Sequence, residues 1–281
     1  YLYNTKADSL NLFNSDNRKY NQFLYKDQND NYKQNHYQAL YAKQFNEQFS
    51  FNGALHLTQG EGYFEEYKNN QKLKNYGLPN VITGGTTIER TDLVRRRWLD
   101  NNFYGLTYAF NYQPESNLNF TLGGAYNQYR GKHFGQVIWA QYASTSTNDY
   151  HYYDGKGDKD DFNSYFKVNY NPVTQLSLFA DLQYRNVKYD ISGTDKNRKS
   201  LDYNNNYNFF NPKVGATYFL NELSNFYASF SVANKEPNRD DFEAGTAEMP
   251  KPEQLHDIEL GVENKGATFN WGATLYYMRY K

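Results

Sequence analysis

Along residues 49–58 the chain alternates between apolar and polar positions. Phe49, Phe51, Gly53, Leu55 and Leu57 fall on one side, and Ser50, Asn52, Ala54, His56 and Thr58 on the other. The pattern returns at Leu118, Phe120, Leu122, Gly124 and Tyr126 against Asn119, Thr121, Gly123, Ala125 and Asn127. It returns again at Leu176, Leu178, Ala180, Leu182 and Tyr184 against Ser177, Phe179, Asp181, Gln183 and Arg185. Near the end it is carried by Phe269, Trp271, Ala273, Leu275 and Tyr277. A period of two marks a strand with one apolar face, because successive Cβ atoms point to opposite sides. The pattern predicts ten strands, near 34–45, 49–59, 101–113, 117–130, 162–171, 175–189, 207–219, 225–234, 256–264 and 267–281. Most exceed the usual globular strand of about 5–6 residues. They match the roughly 9–11 tilted residues that cross a bilayer.

The connections alternate in length. Short turns are predicted at Asn46-Glu47-Gln48, Pro114-Glu115-Ser116, Asn171-Pro172-Val173-Thr174, Asn221-Glu222-Leu223-Ser224 and Asn264-Lys265-Gly266. Most carry Asn, Pro or Gly, which have defined turn chemistry. Long polar stretches, read as loops, lie near 60–100, 131–161, 190–206 and 235–255. Tight turns at one end and long loops at the other are the plan of an outer-membrane barrel. Aromatic residues flank the short turns at Phe45, Phe49, Tyr112, Tyr170, Tyr218, Phe226 and Phe269. Others recur about eight residues further on, at Tyr104, Tyr126, Phe162, Tyr184, Phe210 and Tyr277. Eight strand residues span about 26 Å, close to the height of the apolar band between two aromatic girdles. Tyr and Phe are also frequent in strands of any kind.

Composition removes competing classes. Mean hydropathy is −0.98, and no apolar run approaches the roughly 18 residues of a spanning helix. That excludes helical membrane proteins but not barrels, where only alternate residues face lipid. The 30 Tyr, 20 Phe and 3 Trp suit membrane–water interfaces, where a ring needs one wet end. With no Cys, disulfide scaffolds and thiolate metal sites are excluded. A net charge of −1 provides no field to gather nucleic acid. The residues predicted to face lipid are Phe49, Phe51, Leu55, Leu118, Phe120, Leu122, Leu176, Leu178, Leu182, Phe269, Trp271 and Leu275. The opposite face carries Lys167, Asp181, Arg185, Lys213, Asp257, Glu259 and Glu263. Mixed charge suits a polar filling or water, and would equally suit an ordinary solvated face.

Several stretches resemble one family. Asn234-Lys235-Glu236-Pro237-Asn238-Arg239-Asp240-Asp241-Phe242 is followed by Lys251-Pro252-Glu253 and Glu259-Leu260-Gly261. This resembles the late extracellular loop and next strand of TonB-dependent outer-membrane receptors of Gram-negative bacteria. Gly60-Glu61-Gly62-Tyr63-Phe64-Glu65-Glu66-Tyr67, Arg95-Arg96-Arg97-Trp98-Leu99-Asp100-Asn101 and His133-Phe134-Gly135 resemble parts of the iron-siderophore-type members. Their order holds over nearly the whole chain. The resemblance implies an all-β, antiparallel up-and-down transmembrane barrel of roughly 22 strands. About ten of them are expected here. It also implies a lumen filled by an N-terminal plug, and import energised by an inner-membrane TonB complex pulling on that plug. No plug-like sequence, coupling box or C-terminal aromatic end is found. Residues 1–281 are therefore expected to be a partial barrel domain, its second half, unable to transport alone. The implied cargo is a large scarce nutrient such as a ferric siderophore. Outer-membrane lipid and the TonB complex are the implied partners, and a surface lipoprotein is a further one the resemblance allows.

Recognition is expected from the loops, since loops on a rigid scaffold carry it. The candidates are Tyr63, Tyr67, Arg95, Trp98, His133, Trp139, Tyr152 and Arg239, with Tyr150 and Tyr153 beside them. Aromatic side chains could stack on a chelator or sugar, and Arg95, Arg96 and Arg97 could draw in an anionic ferric chelate. Each could instead order a loop, and Arg239 and Asp240 could pair with each other. The five His residues show no metal-ligand spacing, and no nucleophile elbow or phosphate loop is present, so no cofactor, metal site or catalysis is expected. Two other readings stay open: another outer-membrane barrel, either porin or enzyme, and a secreted all-β carbohydrate-binding protein.

Overall fold

The computed structural model describes residues 10, 13–14, 28–142, 150–243, 249–266 and 268–281. The opening residues lie almost wholly outside them. Among the described residues there are twelve strands: β1 Asp30–Gln44, β2 Phe49–Lys72, β3 Val81–Thr83, β4 Thr86–Ile88, β5 Arg90–Glu115, β6 Leu118–Ala140, β7 His151–Val173, β8 Leu176–Thr194, β9 Ser200–Phe219, β10 Ser224–Lys235, β11 Glu253–Lys265 and β12 Asn270–Tyr280. Ten of them form one sheet in the order β1-β2-β5-β6-β7-β8-β9-β10-β11-β12, and β3 and β4 form a separate hairpin. Each of the ten pairs antiparallel with its neighbour in the chain, β3 and β4 aside. No helix among the described residues is long and apolar enough to cross a membrane.

Paired residues share a face, so the registers can be followed from strand to strand. From Phe49 the row runs through Tyr112, Phe120, Val168, Ala180, Val214, Phe230 and Ile258 to Tyr277. One residue on, the row from Ser50 runs through Asn111, Thr121, Lys167, Asp181, Lys213, Ser231 and Asp257 to Met278. The first row is apolar throughout and the second almost wholly polar. The sheet therefore has one apolar and one polar face. The predicted lipid-facing residues within strands all lie on the apolar face, and Phe269 sits exposed just before β12. Many remain open to the surroundings: Leu55 is 60% exposed and Leu275 74%, so this face has no second layer packed on it. On β8 the apolar positions are Leu176, Leu178, Ala180, Leu182 and Tyr184, followed by Asn186, Lys188 and Asp190. On β2 the change comes after Leu57, at Gln59 and Glu61. Five alternate positions cover about 26 Å.

The strands continue far beyond this band. The stretches near 60–100 and 131–161, read as loops from sequence, are mostly strand: β2 runs on to Lys72, β5 starts at Arg90, β6 ends at Ala140 and β7 starts at His151. Beyond the band polar, aromatic and aliphatic residues mix on both faces, so alternation fades while the backbone ladder persists. At the other end the connections are short. Asn46 Oδ1 accepts from the backbone N–H groups of Gln48 and Phe49, both at 2.9 Å. Asn221 does the same for Leu223 and Ser224, also at 2.9 Å. Each side chain replaces two backbone acceptors, which is why Asn opens these turns.

Candidate functional site

The buried hydrophobic clusters among the described residues lie beyond the band. One contains Leu73, Tyr76, Leu78, Leu93, Val137, Tyr152 and Tyr153. A 3-10 turn, Leu73–Tyr76, brings the first two residues there and closes on Gly77, whose φ of 67° suits glycine. A bulge between the Gly135 and Gln136 pairings lets neighbouring Tyr152 and Tyr153 both reach this cluster. The second cluster joins Ile191 and Leu201 to Phe242. Phe242 belongs to a short helix, α1, Arg239–Glu243. Its start carries a reciprocal cap: Asn238 N–H donates to Asp241 at 2.7 Å, and Asp241 N–H donates to Asn238 Oδ1 at 3.1 Å. Ahead of it, buried Glu236 accepts from Arg185 at 2.8 Å and from Lys159, and Arg185 also binds Asp161 at 2.5 Å. The β10–β11 connection is thus pinned to the polar face of β7–β9 by charge and by one aromatic anchor.

Between α1 and the wall lies a cavity of about 390 Å³, lined by Arg97, His133, Tyr153, Lys196, Asn238, Arg239, Asp240 and Glu243. Arg239 Nε donates to Glu243 at 2.7 Å, and Lys196 lies 3.9 Å from the same carboxylate. The Arg239–Asp240 pair that the sequence allowed is not formed, because Glu243 one helical turn on lies closer to the guanidinium. Deeper on the wall Arg95 grips Glu66 at 2.5 and 2.7 Å and donates to Tyr76 Oη at 3.1 Å, and Lys68 reaches Glu66 at 2.9 Å. Burial alone would raise the Glu66 pKa, but the Arg95 charge and the Lys68 and Arg95 hydrogen bonds bring it below the ordinary value. Burial, followed by the positive charge of Arg239, lowers His133 to about 4. At neutral pH His133 is an uncharged cavity wall.

The sequence candidates divide between the two faces. Arg95, His133, Tyr152 and Arg239 gather on the polar side, in or beside the cavity. Tyr63 and Trp98 pair with each other across β2 and β5 on the opposite face, with ring centroids 4.6 Å apart. Trp98 in turn stacks on Phe134 at 5.7 Å, and Phe134 on His151 at 4.3 Å. Tyr67 donates to Asp92 at 2.5 Å, and Trp139 is 49% exposed. All four stand on strands, as do Arg95, His133 and Tyr152, whereas Arg239 stands on α1. Arg96 also points away from its neighbours, to Glu65 at 2.6 Å. The arginine run 95–97 therefore cannot act as one patch. Lys196, Asn238 and Glu243 were not anticipated; the Asn238-x-x-Asp241 spacing was the available sign of a helix start. Among the described residues no group of three or more His, Asp or Glu side chains is placed to hold a metal ion.

A family profile described as TonB dependent receptor-like, beta-barrel matches residues 1–281. No curated protein matches the sequence. Among solved structures, the closed form of the ferric-catecholate import receptor Fiu from E. coli K12 is similar with a TM-score of 0.62 and 12% identity, over 89% of this chain and 41% of Fiu. The copper transporter OprC gives a TM-score of 0.65 at 11% identity, over 89% of this chain and 38% of OprC. The FrpB iron transporter from Neisseria meningitidis gives 0.54 at 14%, over 87% and 36%. The chain thus spans about two fifths of the length of these structures, and at such identities the likeness is one of fold.

Proposed function

Because the chain belongs to the TonB-dependent receptor-like β-barrels, transport receptors of the Gram-negative outer membrane and not enzymes, we propose that it forms part of the wall of an importer for a ferric siderophore or a related metal chelate, energised through TonB. The observation that carries this reading is the two-faced sheet. An apolar band about 26 Å high runs across ten strands, and charged side chains and a cavity occupy the other face. In this reading Phe49, Phe51, Leu55 and their row-mates meet lipid, and Lys167, Asp181, Lys213 and Asp257 look into the lumen. Backbone groups in lipid must all be paired, which the long uninterrupted ladders provide. The strand extensions then stand outside the cell and hold the cavity where cargo arrives. Residues 1–281 serve as barrel wall only, and the energy-coupling plug is a separate part of the receptor. The iron and copper transporters among its structural neighbours make a metal chelate the favoured cargo.

The test is uptake by cells making the full-length receptor. Radiolabelled iron supplied as single chelates should accumulate only when this gene and TonB are both present, and a protonophore should stop it. Passive swelling of liposomes by the purified receptor, without energy input, would replace this reading with an open porin.

A further inference from the structure

The cavity beside α1 carries more positive charge than its carboxylates use. Of its lining groups, Arg97, Lys196 and Arg239 are cations, and Asp240 and Glu243 are acids. Glu243 is already held by Arg239 and Lys196, and Asp240 is exposed at the rim. The carboxylate nearest Arg97 is Glu66, at 3.7 Å, and it is committed to Arg95 and Lys68 at shorter range. Among the described residues Arg97 makes no hydrogen bond, and its Nε is buried without an acceptor. Arg239 Nη1 is buried without an acceptor as well. Both arginines thus line one cavity while carrying guanidinium N–H groups without an acceptor among the described residues, although the Arg97 Nε itself is turned toward Glu66, and native structures pair nearly all such groups.

The wall also accommodates Arg239. A Cβ at Gly155 would stand 2.6 Å from Arg239 Nη2 and 2.8 Å from the Thr194 carbonyl oxygen. A side chain there would displace the guanidinium or crowd the Thr194 carbonyl, so Gly155 leaves room for Arg239. Neutral His133 adds no charge, and Tyr153 closes one side.

We propose that Arg97 and Arg239 form a subsite for an oxyanion, a carboxylate or phosphate group carried by a small molecule that fits about 390 Å³. Guanidinium groups hold such groups through paired N–H donors. One arginine comes from the barrel wall and the other from the β10–β11 connection, so a bound oxyanion ties the connection to the wall. This deepens the importer reading, since the subsite would hold the acidic part of the cargo.

The experiment uses the purified full-length receptor in detergent at neutral pH, titrated with citrate and separately with inorganic phosphate by calorimetry. Saturable binding of at least one anion is expected, weakened about tenfold or more in Arg97→Gln and in Arg239→Gln. Lys132→Gln, on the neighbouring strand but the opposite face, should bind as wild type does. Arg97→Lys and Arg239→Lys keep the charge but lose the planar fork, and should fall between. They also serve if a glutamine variant fails to fold. Wild-type binding of neither anion, or unchanged binding in both the Arg97 and the Arg239 variants, overturns the subsite. Energised uptake with no anion binding removes the subsite and leaves the importer. Anion binding without energised uptake removes the importer and leaves the subsite.

Discussion

Glu236 shows how a single side chain can hold a loop. Burial by itself would raise its pKa, but hydrogen bonds from Lys159 and Arg185 outweigh burial and bring it down to about 2. A carboxyl with a lowered folded pKa adds stability above its unfolded value, and the gain is lost as pH falls through the folded value. Here the window runs from about 4.5 down to about 2. Acidification through that window should release the 236–243 segment while the ladders below it stay paired. Limited proteolysis at this segment should accelerate on acidification in wild type. Glu236→Gln should be cleaved readily already at neutral pH, with the acid dependence largely gone. Equal, pH-independent cleavage in both would mean that the contacts of Phe242 hold the segment without the ion pairs.

The strands were legible where hydrocarbon dictates the pattern and illegible where it does not. Within the band a one-residue slip would turn Leu176, Leu178 and Leu182 inward, so the sequence must alternate. Above it Gln59, Glu61, Asn186 and Lys188 replace apolar residues, and the period disappears although the hydrogen bonds do not. This is why strand was read as loop over much of 60–100 and 131–161, and why Tyr63 and Trp98 were grouped with residues of the other face. Two measurements follow. Amides of Glu61–Tyr67 and Arg95–Asp100 should exchange with solvent slowly, as those of the band do, and far more slowly than those of residues 79–89. Fast exchange throughout these stretches would restore the loop reading. Leu178→Arg, next to the centre of the band, should cost about 2–4 kcal/mol in refolding into lipid, and Gln183→Arg on the polar face far less. Similar costs would contradict the assignment of faces.

At the scale of the molecule, the sheet is one layer whose two faces have different solvents. Its apolar face needs no partner layer if lipid covers it, so aliphatic side chains collect there in the open. The buried clusters among the described residues, around Leu73 and Phe242, lie above the band, where connections fold back onto the polar face. Sequence patterning found the single layer because that layer follows one rule. It placed His133 and Arg239 among the candidates but not in a common cavity, since the contact of α1 with β7–β9 spans a long connection and has no periodic signature. The strand extensions also limit how such a wall can change over generations. Adding or deleting two residues there moves the tip by one pleat and keeps Arg97 facing inward. Adding one would exchange it with Arg96, unless a bulge absorbs the odd residue as at Tyr152 and Tyr153. Lineages of this wall should therefore differ in height by even steps, and the odd steps should be found at bulges.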